Sequence, residues 1–234
     1  MKRILLVVAS LLLLGASSIQ YVYEKVSMDM LTRVTRKGYI STMRAEVYYT
    51  SQGRMVSHYT EPQEMIVSND KKGDMFVYTQ KDNTVVQKQN FLFGTDQNQL
   101  FYFLENNKND LGLSKMGFVL RETKFEDGLK ITVWTPPLHL LKDIGKAELA
   151  HEKSNPVFLG YFSSKGKILK RVYFSNYQQI ASVQFPTSIT QITYETPKDS
   201  VLSKTTYTNI KLDRDVPDDF LNFKIPTNAK VVFN

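Results

Sequence analysis

Along residues 21–35 the apolar side chains Val22, Val26, Met30 and Val34 recur at every fourth position, with Tyr23 and Leu31 beside them. This is the stripe of an amphipathic helix, and it predicts an N-terminal helix laid on a sheet. After Gly38 the period becomes two. In ISTMRAEVYYT, Met43, Ala45, Val47 and Tyr49 fall on one face while Thr42, Arg44, Glu46 and Tyr48 fall on the other. Further strands are expected at 54–60, 63–69, 74–79 and 84–90, separated by turn signals at Ser51-Gln52-Gly53, Glu61-Pro62, Asp70 to Gly73 and Lys81-Asp82-Asn83. Neighbouring strands with such short connections make an antiparallel meander. Pro62, which has no N–H to give to a ladder, belongs in a turn.

The run DQNQLFYFLENNKNDLGLSKMGF breaks the alternation, with Leu100, Phe101, Phe103 and Leu104 ahead of an Asn-rich turn and Leu111, Leu113 and Met116 after it. It reads as two short helices, or one helix and a turn, inserted between strands; packing into the core is the plain alternative to a special role. Strands resume at 117–123 and 129–135 around Asp127-Gly128. A single helical turn is expected in LHLLKDI after Pro136-Pro137. Strands then follow at 146–152, 157–163, 167–174, 188–195 and 201–212. The fold class is therefore mainly β (α+β): about eleven or twelve antiparallel strands, a helix at the start and short helices in the middle.

Composition narrows the setting. Lys2 and Arg3, the apolar run Ile4–Leu14 and the small residues Gly15-Ala16-Ser17-Ser18 have the layout of a cleaved export signal ending at Ser18, and the apolar run is well short of the roughly 20 residues of a membrane span. The expectation is a single exported domain over 19–234, not lipid-anchored. With no cysteine, disulfides, thiol catalysis and a lipid-bearing cysteine are all excluded. The net charge of +7 is spread along the chain in single lysines and pairs such as Lys71-Lys72 and Lys170-Arg171. No dense arginine cluster or nucleic-acid motif accompanies it.

No catalytic constellation stands out. His58, His139 and His151 lack a second ligand at metal spacing, so neither metal nor cofactor is expected. Asp213, Asp215, Asp218 and Asp219 cluster near the end, where turn capping accounts for them. A phosphate loop and a nucleophile elbow are both missing. A binding protein is expected, not an enzyme.

The stretch HYTEPQEMIVSNDKKGDMFVYTQKDNTVVQK resembles the LolA family of periplasmic carriers of outer-membrane lipoproteins. The resemblance lies in Tyr59, Pro62, Ile66-Val67-Ser68, Asp70 with Gly73, and Phe76-Val77-Tyr78. The tail LDRDVPDDFLNFKIPTNAKVV is similar to the family's ending through Phe220, Phe223, Ile225-Pro226 and Val231-Val232. Where some members carry an arginine followed by proline that latches the lid, this chain has Ser51-Gln52.

The resemblance implies an open, strongly curved antiparallel half-barrel whose concave face, covered by helices, leaves an apolar cavity for acyl chains. Val47, Tyr49, Met55, Tyr59, Met65, Val67, Phe76 and Tyr78 are then expected to line the sheet side. Leu100, Phe103, Leu104, Leu113 and Met116 are expected to form a movable lid. Met43, Met55, Met65, Met75 and Met116, all in or beside strands, suit an adaptable apolar surface, although core filling is the ordinary role of any one of them. The implied partners are acylated lipoprotein cargo, an inner-membrane releasing transporter and an outer-membrane acceptor, served by a monomeric carrier. The alternatives are a lipid-sensing regulatory domain on the same fold and an envelope scaffold with a filled core.

Overall fold

The computed structural model describes residues 23–89, 95, 99–105, 108–196 and 199–232. The predicted export signal lies outside them. Fourteen strands form one sheet. The first meander is β1 (Lys25–Arg36), β2 (Tyr39–Thr50), β3 (Met55–Glu61), β4 (Met65–Asn69), β5 (Asp74–Thr79) and β6 (Thr84–Gln89). The second is β7 (Val119–Glu126), β8 (Leu129–Thr135), β9 (Lys146–Glu152), β10 (Asn155–Phe162), β11 (Ile168–Ile180), β12 (Val183–Thr196) and β13 (Asp199–Leu212). A helix, α1 (Gln99–Leu104), lies between the meanders, and a short strand β14 (Lys230–Val231) closes the chain.

The expected N-terminal helix is a strand. Val22, on which part of the stripe rests, is outside the described residues, but from Lys25 to Arg36 the chain is β1, paired residue for residue with β2 from Lys25↔Thr50 to Arg36↔Tyr39. A spacing of four is two strand periods as well as about one helical turn, so Val26, Met30 and Val34 share a face in either conformation. Two features decide for the strand. Val26, Thr32, Val34 and Thr35 are β-branched. Lys37 and Gly38 both take positive φ, 50° and 82°, as a two-residue hairpin turn requires. Counting β1 and the two-residue β14 raises the expected dozen strands to fourteen.

The strand order places β13 beside β1 and sends β6 and β7 to opposite ends of the sheet, with β14 added in parallel outside β6. Two long connections must therefore cross the sheet. Of the chain from β6 to β7, the described residues 99–105 and 108–118 lie over the concave face, and the tail from β13 to β14 runs over the convex face of β2–β6. Each crossing buries its own apolar cluster. On the concave side Val26, Met28, Val47, Tyr49 and Met55 join Trp134, Leu149, Leu159, Val172, Phe174 and Phe185 beneath the 99–118 segment. On the convex side Tyr48, Val56, Ile66, Tyr78 and Val85 lie under Val216, Phe220, Leu221 and Phe223. The tail is held by polar contacts as well: the Asp213 carboxylate accepts from the Glu24 and Lys25 amides at 2.6 and 3.0 Å, and the Val232 amide donates to Val85 at 2.9 Å.

Candidate functional site

Directly paired residues of an antiparallel ladder share a face, so the register assigns the concave surface strand by strand. One row across β13, β1, β2, β3, β4 and β5 is Tyr207, Met30, Ala45, Tyr59, Met65 and Thr79. The row beside it holds Met28, Val47, Ser57, Val67, Val77 and Val86. A third holds Val26, Tyr49, Met55, Asn69 and Met75.

The 99–118 segment covers part of this surface. Phe103 has no exposed area; its ring centroid lies 5.1 Å from that of Phe174, 6.3 Å from Phe185 and 6.4 Å from Tyr177. Leu100, Leu104 and Leu113 are buried in the same cluster, and Met116 packs against it half-buried. These residues form one six-residue helix and a run of turns, and the expected second helix is a turn region from 109 to 117. The reason is local: Gly112 and Gly117, with Leu111, take positive φ, which bends the chain every few residues. Polar contacts fix the segment's end. The Tyr23 hydroxyl donates to the Leu104 carbonyl, the Tyr49 hydroxyl donates to the Glu105 carboxylate, and Lys71 Nζ lies 3.3 Å from that carboxylate. Burial, and then Glu105, push the Tyr49 hydroxyl far above the usual tyrosine range.

Of the eight expected lining residues, Val47, Tyr49 and Met55 lie beneath this segment, fully buried. Tyr59, Met65 and Val67 also point to the concave side but stay half-buried, and they belong to neither cluster. Burial raises the Tyr59 hydroxyl above its ordinary range. Phe76 and Tyr78 are on the other face: they pair with Ser68 and Ile66, and their rings lie 6.3 and 5.5 Å from that of Phe223 in the tail. The sequence misleads here because Met75-Phe76-Val77-Tyr78 puts apolar residues on both faces of the strand, and no alternation remains to set the phase.

The register adds residues outside the eight expected lining positions, of which Met43 was expected on such a surface only as one of the adaptable methionines. Val34, Met43, Val77 and Val86 share the concave face with Tyr59, Met65 and Val67, and are likewise half-buried outside both clusters. Together they make an apolar surface on β1–β6 beside the covered core. Val77 was recoverable from the hairpin register once Val67 was placed, since the two are paired.

The histidines are dispersed. His58 stacks on Phe220 at 4.1 Å, and His139 is exposed in the β8–β9 connection. His151 is buried, with Nε2 3.3 Å from the Lys108 carbonyl and Nδ1 without a hydrogen-bond partner. Burial lowers its pKa below the ordinary histidine value of 6.5. The unfolded chain then binds a proton that the folded one resists, so this group's contribution is intact above about pH 6.5 and is lost as pH falls below it. Thermal unfolding at pH 5 should therefore occur at lower temperature than at pH 7.5, and His151→Gln should reduce that difference.

The described architecture, an open antiparallel half-barrel with a crossing segment on its concave face and a partly uncovered apolar surface beside it, is LolA-like. It is similar to a LolA superfamily protein of Nitrosomonas europaea, at 15% identity and TM-score 0.56, over 88% of this chain and 93% of that one. A DUF1329 family protein of Desulfovibrio piger matches at 15% identity and TM-score 0.59, over 86% and 90%. A Vibrio parahaemolyticus domain named for outer membrane lipoprotein sorting matches at 13% identity and TM-score 0.57, over 85% and 89%. No sequence-family profile and no curated protein matches the chain. These likenesses are of fold. Among the described residues, no helix is long and apolar enough to cross a membrane.

Proposed function

We propose that this protein is an exported carrier that shelters acyl chains on the uncovered part of its concave face and moves a lipid-modified protein, or a related lipid, from the inner to the outer membrane. The role proposed is binding, not catalysis. The observation that carries the reading is the half-buried apolar surface of Val34, Met43, Tyr59, Met65, Val67, Val77 and Val86, left out of both the cluster beside it on the concave face and the cluster behind it on the convex face. The LolA-like fold supports it.

The physical need is plain. An acyl chain of about 15 methylenes gains roughly 12 kcal/mol on leaving water, at about 0.8 kcal/mol per CH₂. Such a chain does not cross an aqueous space unescorted, and its carrier must also let it go. Met43 and Met65 fit a surface that adapts to its ligand without matching it closely. An inner-membrane transporter would supply the cargo and an outer-membrane acceptor would take it.

The test is direct. Protein purified from its native compartment should yield acylated protein or phospholipid on extraction and mass spectrometry. Val67→Glu should weaken binding of a fluorescent fatty acid by at least about tenfold, since burying a carboxylate beside an acyl chain is costly. Its unfolding temperature should stay nearly unchanged, because Val67 belongs to neither core. A ligand-free extract together with unaltered fatty-acid affinity in Val67→Glu would sink the proposal.

A further inference from the structure

In an antiparallel meander alternate connections emerge at the same end of the sheet. The pairs Arg36↔Tyr39, Arg36↔Val201, Phe162↔Ile168 and Trp134↔Ala147 place the β1–β2, β12–β13, β10–β11 and β8–β9 connections together at one end. Three of the most exposed large apolar side chains in the described protein stand there. Tyr39 is 83% exposed and Ile40 70% on the β1–β2 tip, and Leu138 is 87% exposed on the β8–β9 connection, with Leu141 also exposed nearby. Tyr39 and Ile40 follow each other on a strand and so point to opposite sides of the hairpin. Neither side of the tip is a polar one, so no tilt of the hairpin keeps both out of water against this sheet.

The opposite end differs. Its turns read Ser51-Gln52-Gly53-Arg54, Asp70-Lys71-Lys72-Gly73, Asp127-Gly128 and Lys153-Ser154, all polar, and Ala181-Ser182, where Ile180 and Ala181 are partly buried against the core. The exposed Phe125 stands at that end, one pair from the Asp127-Gly128 turn, a single large apolar side chain with no exposed apolar neighbour on the tip itself.

Charge is arranged around the apolar tips. Arg36 and Lys37 flank Tyr39, in exposed pairs with Glu195 and Asp199 at 2.7 and 3.2 Å. Exposed ion pairs of this kind are worth little and dissociate readily in favour of a denser anionic surface. Lys142 follows Leu141, and the Gly145 amide bonds the Phe162 carbonyl at 2.7 Å, which brings the β8–β9 connection against the β10–β11 turn that carries Lys165 and Lys167. These three lysines are exposed and make no ion pair among the described residues. The other acids at this end are Glu61 and Glu64 on the β3–β4 turn, Asp82 on the β5–β6 turn and Asp143 beside Lys142. Only Asp143 shares a connection with an apolar tip.

We propose that this end of the half-barrel docks on an anionic phospholipid bilayer, with Tyr39, Ile40 and Leu138 entering the headgroup layer and Lys142, Lys165 and Lys167 against its phosphates. An aromatic and aliphatic tip flanked by cations is the arrangement that partitions at a membrane interface. Hydrophobic entry at the two tips supplies the hold, and the lysines bias the choice of membrane. This docking stands whether or not the concave face takes an acyl chain, because it uses none of the residues assigned to that surface.

The experiment is co-sedimentation of the full exported protein with vesicles made of equal parts phosphatidylcholine and phosphatidylglycerol. Wild type should bind, and binding should weaken at high salt without vanishing. The double variant Tyr39→Ser/Ile40→Ser should bind about tenfold more weakly or worse, and Leu138→Ser should weaken it separately. Phe125→Ser, at the other end, should bind as wild type does. All of these positions are exposed, so unfolding temperatures should match wild type. Absence of wild-type binding would overturn the proposal and leave the tips to a protein partner. So would tip variants that bind normally, loss of all binding with salt alone, or an equal loss in Phe125→Ser.

Discussion

Phe103→Ala should destabilise the protein by about 3–5 kcal/mol, the usual cost of emptying a fully buried phenylalanine site. The ring has no exposed area and sits among Phe174, Phe185 and Tyr177, which belong to strands β11 and β12. Those strands are hydrogen-bonded along their length and cannot close the gap. Nor can α1, which is tied at its end through Leu104 and Glu105 to Tyr23, Tyr49 and Lys71. Urea unfolding followed by circular dichroism measures the loss. A second readout says what kind of element the 99–118 segment is. If it is part of the core, cleavage by a protease should appear throughout the sheet and the segment together as urea rises. If it opens as a lid, Phe103→Ala should expose the segment to protease at urea concentrations where the sheet is still intact, and the measured loss of global stability should fall well under 3 kcal/mol. The intact contacts favour the first outcome for the wild-type protein. A loss of less than about 1 kcal/mol without segment cleavage would contradict the packing described.

Much of the sheet was legible because its strands are short and bounded by strong turn signals. Asp74–Thr79 and Leu129–Thr135 fall where Asp70 to Gly73 and Asp127-Gly128 place them. Legibility failed where two periods coincide, as in the Val26, Met30, Val34 spacing that β1 shares with a helix. It failed again where both faces of a strand are buried. Tyr48 and Tyr49 are adjacent and both buried, one beneath the tail and one beneath the 99–118 segment. A strand with two covered faces carries no polar side to set its phase, and Phe76 to Tyr78, apolar on both faces although Val77 is only half-buried, give no phase either.

The candidate site was legible for the same reason that it was incomplete. Tyr59, Met65 and Val67 lie on strands whose other faces include His58, Thr60 and Ser68, so the alternation there survives well enough to be read. Which part of the concave surface is filled depends on where the β6–β7 connection crosses. That is set by strand order, and strand order depends on the pairing of β1 with β13, about 170 residues apart in the chain. Nothing local in the sequence records it. The crossing sorts the expected lining residues into Val47, Tyr49 and Met55, which support the core, and Tyr59, Met65 and Val67, which remain available.

Strand order also makes the tail indispensable, and this yields the second large effect. A chain ending at Val216 should fail to reach a stable fold. Tyr48, Val56, Ile66, Tyr78 and Val85 form a contiguous apolar patch on the convex side of β2–β6, and Phe220, Leu221, Phe223, Ile225 and Ala229 are what covers it. Removal exposes this patch, leaves the edge of β6 without the Lys230 and Val232 hydrogen bonds, and deletes the Asn228 carbonyl that accepts from Asn83. Burial at about 25 cal/mol per Å² makes a patch of several large side chains worth several kcal/mol, comparable to the whole stability of an ordinary domain. An unpaired apolar edge beside it invites aggregation. Because truncation acts by removing the fold as a whole, the graded version is the sharper measurement. Phe220→Ala and Phe223→Ala each remove one ring from the cover: the first stacks on His58 at 4.1 Å and tilts against Tyr48 at 5.6 Å, and the second meets Tyr78 at 5.5 Å. Both rings are half-buried, so each substitution should cost about 1–3 kcal/mol, less than Phe103→Ala. Their double variant should cost close to the sum, since the rings meet different partners. Fatty-acid binding by the folded fraction should be unaffected, because the tail lies across the sheet from the proposed site. Loss of binding in either single variant while the fold holds would show that the two faces are not independent, and would move the site to the side on which Phe76 and Tyr78 lie.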